Sequence, residues 1–173
     1  MKEIKRTNEA QRQLISNKEM LERISVLLEK HHSIQMANIW KLGIITGLRL
    51  SNILEIKLEN ISSEKAFITK NKSLNGEMQE VILSSEALKI INSIRKANPD
   101  SEYLFQSLRS RNVTNKESRP LTRQAVNFAF KEVGDMLNIQ LTPNMMRHSY
   151  ITQFLSHLTP SEIKLTKYYL NKK

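Results

Sequence analysis

The stretch "IQMANIWKLGII", residues 34–45, constrains this chain most. Its apolar side chains fall on every side of the helix it would form, so no face is left for water. A helix of that kind sits at the centre of a domain, and the rest of the chain must cover it. The pattern predicts a buried helix over about 34–46, stopped by Gly47, with Trp40 in the core.

The cover is legible on both sides. "SNKE" at 16–19 has the spacing of a capping box, with Ser16 as N-cap and Glu19 three residues on. The helix it opens carries Leu21, Ile24, Leu27 and Leu28 on one face. Downstream, Ser51 is expected to cap a third helix with Ile53, Leu54, Ile56 and Leu58. The period then changes. "AFITK" and "EVIL" read as short strands, and "NKSLNGEMQ" between them holds an Asn-Gly turn signal. "SSEALKIINSIRKAN" reads as a capped helix with Leu88, Ile91 and Ile94 on one side, and "EYLF" as a short buried segment. Thr122 caps "TRQAVNFAFKEVGDMLN", and Pro143 stands in the first turn of the helix in "TPNMMRHSYITQFLSH". The last element, "TPSEIKLTKYYL", has another Thr-Pro start. The expected fold is mainly α with a small β-hairpin (α+β), one domain over 16–173 after a polar arm at 1–15. A chain of 173 residues can bury roughly 70% of its unfolded surface, so it needs no staple.

Charge narrows the partner. There are 27 Lys+Arg against 17 Asp+Glu, a net charge of +10. That balance favours a polyanion: DNA, RNA or an acidic membrane surface. Cysteine is absent, which excludes disulfides and thiolate chemistry and suits a reducing compartment, so the cytoplasm is the expected location. No run approaches the roughly 18 apolar residues of a membrane span, and the polar start lacks the core of a signal peptide. His31, His32 and His157 lack metal-ligand spacing and read as surface residues. The loop 106–120 holds Arg109, Arg111, Lys116 and Arg119 against a single acid, Glu117, and Arg123 follows it. These five basic residues are the expected contacts to a nucleic-acid backbone, which set position rather than sequence.

Two arginines stand apart from that loop. Arg49, in "TGLRLSN", falls at a helix junction; Arg147, beside His148 in "PNMMRHSY", falls near a helix start. A guanidinium at such a place can fork onto phosphate oxygens. Between them in sequence lies Lys72, in "TKNKS".

Taken in order, these segments resemble the catalytic domain of the tyrosine recombinases, or phage integrase family. "TGLRLSNILEIKLENI" resembles the family's first arginine box, "FITKNKSLNGEMQEVILS" its lysine-bearing hairpin, and "LTPNMMRHSYIT" its second arginine box. The likeness runs over about 16–170 and is nearest to the small bacterial recombinases that invert fimbrial switches. It implies site-specific cleavage and rejoining of duplex DNA. A tyrosine hydroxyl attacks the phosphodiester, giving a 3′-phosphotyrosyl link and a free 5′-hydroxyl, with no ATP, metal, cofactor or small-molecule substrate. The implied partners are duplex DNA and other recombinase subunits on it, with no membrane.

By that resemblance Arg49 and Arg147 clamp the phosphate, and Lys72 protonates the leaving oxygen, with Lys70 as the fallback. His148 stands between site and scaffold. Asn144 takes a place where the family usually has His or Lys; it can hydrogen-bond an oxygen but cannot trade a proton near neutral pH. Two registers fit the end of the chain. In one, Tyr168 or Tyr169 is the nucleophile; in the other, favoured by spacing, "KYYLNKK" precedes the box that leads to it. A non-catalytic DNA-binding relative is therefore the competing class, and a helical RNA-binding protein a third.

Overall fold

A computed structural model of the protein describes residues 17–61, 66–69, 79–108, 114–115 and 117–155. The described helices are α1 (Lys18–His31), α2 (Ile34–Thr46), α3 (Leu50–Leu54), α4 (Ser85–Ala97), α5 (Arg123–Leu137) and α6 (Pro143–Leu155). A 3-10 turn spans Leu58–Asn60, and strands β1 (Ala66–Thr69) and β2 (Gln79–Ile82) pair antiparallel, with Ala66 opposite Ile82. The protein is mainly helical. The polar arm 1–15 and the Asn75-Gly76 turn signal lie outside the described residues.

The apolar helix is the centre. α2 buries Met36, Ala37, Ile39, Trp40, Leu42 and Gly43, and it packs against α1, α4 and α6. Ser33 caps its start, accepting from the Met36 N–H at 3.3 Å. Gly47 ends it at φ 66, in the left-handed region that glycine enters without steric cost. Trp40 is fully buried and joins three helices. Its Nε1 donates to the Leu21 carbonyl of α1 at 3.1 Å, and its ring meets Phe130 of α5 edge-on at 5.6 Å. A buried indole needs such a partner for its N–H.

Three expectations are corrected. First, α1 is capped by Asn17 rather than Ser16. The Asn17 carboxamide oxygen accepts from the Glu19 N–H at 2.9 Å, so the cap serves the second amide of the helix and the capping box is not the device used. Second, Ser51 lies inside α3, whose N-cap position belongs to Arg49. The stop at Gly47 leaves two residues before the chain must turn to bury Leu50 and Ile53. That helix also ends at Leu54. Beyond it, Leu58 N–H donates to the Glu102 carbonyl and Leu104 N–H to the Ile56 carbonyl, both at 2.9 Å. Backbone pairing with the 102–104 segment therefore takes over where the helix was expected to continue. Third, His32 is not a surface residue. Its side chain is 15% exposed, its Nε2 lies 3.4 Å from Glu132, and Phe128 meets its ring edge-on at 6.3 Å.

The remaining helices cover α2 by simple amphipathic logic. α4 is capped by Ser84 and buries Ala87, Ile91 and Ile94. α5 is capped by Thr122, buries Val126, Ala129, Phe130 and Val133, and ends at Asn138 with φ 54. Leu104 and Phe105 of the short apolar segment are buried between them in sequence. Among the described residues no helix is long and apolar enough to cross a membrane.

Candidate functional site

The site begins with how α2 and α6 approach. A side chain on Gly43 would collide with Met146: an added Cβ would fall 2.9 Å from the Met146 Cβ. A side chain on Gly47 would collide with the Tyr150 ring, 2.8 Å from its Cγ. Gly43 and Gly47 are one helical turn apart, and so are Met146 and Tyr150. Two successive contacts in that order mean that α2 and α6 run side by side in the same direction along this seam. Bare backbone on α2 lets α6 come close.

That seam bounds how far apart the backbones of the two arginines can lie. Arg49 is two residues past Gly47, so its Cα lies within about 7 Å of the contact with Tyr150. Arg147 precedes Tyr150 by three residues on α6, a separation of about 5–6 Å on one helix face. Arg49 is exposed, in extended backbone at φ −69, ψ 145, and its side chain makes no capping bond. Arg147 is half-buried. Neither forms an ion pair with a carboxylate among the described residues, whereas Arg119, Lys57 and Lys131 each do. Arg147 is thus a partly desolvated guanidinium that no carboxylate among the described residues meets. An anion from outside can.

The other expected residues are distributed as follows. Asn144 is exposed at the second position of α6, and His148 is exposed beside Arg147. Lys70, Lys72, Tyr168, Tyr169, Arg109, Arg111, Lys116 and His157 lie outside the described residues. Arg119 is exposed and paired with Glu117 at 2.9 Å. The basic loop is fastened at its base, where Ser107 N–H donates to the Arg119 carbonyl and Leu121 N–H to the Phe105 carbonyl, both at 2.8 Å. Arg123 is exposed at the first position of α5, where the helix dipole disfavours a cation and an arriving anion would offset it. Among the described residues no cluster of His, Asp and Glu could hold a metal ion.

Two positions escaped the sequence reading. Gly43 looked like a helix residue of an apolar run, yet it sets the approach of α6. Arg95 was not singled out at all, yet its Nη2 donates to the carbonyls of Leu58 at 3.0 Å and Ile61 at 3.4 Å. No local pattern announces either, because each acts on a partner far away in sequence.

The chain is similar to known proteins. The chain is 35% identical over 111 residues to the tyrosine recombinase XerA of Pyrococcus furiosus, covering 64% of this chain and 37% of that protein. It is 26% identical over 132 residues to the tyrosine recombinase XerD of Staphylococcus haemolyticus, covering 75% and 44%. The chain thus spans less than half the length of these relatives. Its fold matches the crystal structure of XerA recombinase at a TM-score of 0.60 and 17% identity, covering 91% of this chain and 65% of that one. It matches a lambda integrase dimer bound to a core site at a TM-score of 0.63 and 13% identity, covering 84% and 53%. The model of the phage integrase family matches residues 13–163, and the chain belongs to that family.

Proposed function

We propose that this chain works in site-specific DNA recombination, binding duplex DNA and holding a scissile phosphodiester between Arg49 and Arg147. The observation that supports this is the Gly43–Met146 and Gly47–Tyr150 packing, which bounds the separation of two arginines that meet no carboxylate among the described residues. A solved relative described as a pre-cleavage complex, XerH on its difH substrate, supports the same class of ligand. Two guanidinium groups offer fixed forks of donors to the non-bridging oxygens, and their attraction grows as the pentacoordinate transition state gathers charge.

The remaining roles follow from chemistry. Asn144 hydrogen-bonds a phosphate oxygen, and His148 donates a further bond from the same helix. The β1–β2 pair serves as the arm that presents Lys72, with Lys70 as the alternative, so that an ammonium protonates the departing 5′ oxygen. The oxygen of Tyr168 or Tyr169 forms the new bond to phosphorus as the bond to the 5′ oxygen breaks. Arg109, Arg111, Lys116, Arg119 and Arg123 track the phosphate backbone, so binding weakens as salt rises. Other copies of the chain share the DNA, and the cytoplasm is where it is met.

A nicked suicide duplex of the chain's own site tests this reading. The expected result is a denaturant-resistant adduct, abolished by Tyr168→Phe or by Tyr169→Phe. Arg49→Ala and Arg147→Ala should each slow its formation about 10²–10³-fold, the usual cost of a donor aimed at the developing charge. DNA that stays uncut while the chain binds it, or an adduct untouched by either arginine change, would contradict the assignment.

A further inference from the structure

Residues 56–61 join the Arg49 corner to strand β1, and they are held from two sides. The 102–104 segment pairs with Ile56 and Leu58 by backbone bonds, and Lys57 meets Glu102 at 2.6 Å. From α4, a single nitrogen of Arg95 spans two carbonyls, those of Leu58 and Ile61. The 3-10 turn is weakly closed by itself, since its bond from Ile61 N–H to the Leu58 carbonyl is 3.4 Å long. Arg95 supplies the tie that the turn lacks, at the last residues before the chain departs for β1. Strand β1 itself lies against this turn. A cation in the last turn of a helix ordinarily serves that helix's own dipole. Here the guanidinium is directed at carbonyls 37 and 34 residues away instead. Hydrogen bonds from a charged donor are among the stronger ones a surface segment can have.

We infer that Arg95 is a positioning residue: its guanidinium fixes the root of the β1–β2 arm against the helical body. Through that root it sets where β1, and so the arm to which the proposed function assigns the acid, stands relative to a phosphate held by Arg49. This last consequence rests on the function proposed above, whereas the tie to Leu58 and Ile61 does not. Arg95→Met keeps the apolar stem and removes every donor. Arg95→Lys keeps the charge and some donors, but on a flexible stem without the planar, pre-organised fork.

Two measurements on the full chain test it. In amide hydrogen exchange, Arg95→Met should speed exchange over 58–61 and 66–69 about tenfold while the amides of α2 stay at their wild-type rates. Uniform acceleration through all helices, or none at 58–61, would overturn the inference. In cleavage, the suicide duplex is compared with one carrying sulfur at the bridging 5′ position, whose thiolate leaves without a proton. Arg95→Met should be slowed about tenfold on the oxygen substrate, short of the 10²–10⁴ for losing the acid outright. It should be near wild type on the sulfur substrate, with Arg95→Lys in between. Equal loss on both substrates would overturn the positioning role. A wild-type chain that cuts neither substrate would sink the cleavage reading instead, and exchange alone would then decide the tie.

Discussion

The α2–α6 seam and the 56–61 segment both fix a part of the site, by opposite means. The seam is apolar and close: Gly43 and Gly47 have no room for a side chain against Met146 and Tyr150. The segment is polar and open: a short backbone ladder, one half-exposed ion pair and Arg95 on two carbonyls. Close packing resists small displacement, because the surroundings relax only in part. Polar ties at a surface exchange readily with water and respond to salt and pH. Arg49 and Arg147 thus belong to the stiff part, and the arm that lies between them in sequence leaves from the adjustable part.

That contrast can be broken most forcefully at Gly43. Gly43→Ala removes a helix-weakening glycine, a gain of up to about 1 kcal/mol. It also forces α6 away from α2, and overpacking of a tight core costs about 1–3 kcal/mol. We expect a net loss of stability in urea unfolding, with loss of the mutual placement of Arg49 and Arg147 and hence of DNA affinity. Pairing the change with Met146→Ala should recover part of the loss. Full stability and wild-type affinity for Gly43→Ala would show that the seam is looser than described.

The polar segment gives the smaller effect. Glu102 holds the Lys57 ammonium above its ordinary 10.5, first through the hydrogen bond and then through charge attraction. A raised pKa means that the pair stabilises fully below pH 10.5 and ceases to as pH rises through the folded value. Glu102→Gln should therefore lower Tm slightly near neutral pH, and the gap should shrink as pH is taken above 10.5. A large gap, or one that persists in strong alkali, would place this pair with the seam rather than with the surface.

The stiff part was the more legible in sequence. The apolar run of α2, its glycine stop and the caps Ser84 and Thr122 follow from local patterns and appear as expected. Arg49 and Arg147 were found because their neighbours form recognisable boxes, but the seam that bounds their separation depends on Gly43 and Met146, which are far apart in sequence. The end of α3 was misjudged because backbone pairing with residues 102–104 outcompetes helix extension at Ile56. His32 was misjudged because Glu132 and Phe128 come to it from a helix about a hundred residues on. Arg95 was missed for the same reason. Long-range polar contacts leave no period and no spacing to read.

The central claim is that Arg49 and Arg147 act on one phosphate. A double-mutant cycle on duplex affinity tests it most directly, with Arg49→Ala, Arg147→Ala and the double variant measured at one fixed, low salt concentration. Two cations on a shared anion should be coupled, so the double variant should lose at least about 1 kcal/mol less than the sum of the singles. Losses that add to within about 0.5 kcal/mol would mean that the two arginines meet separate charges, and would contradict the account.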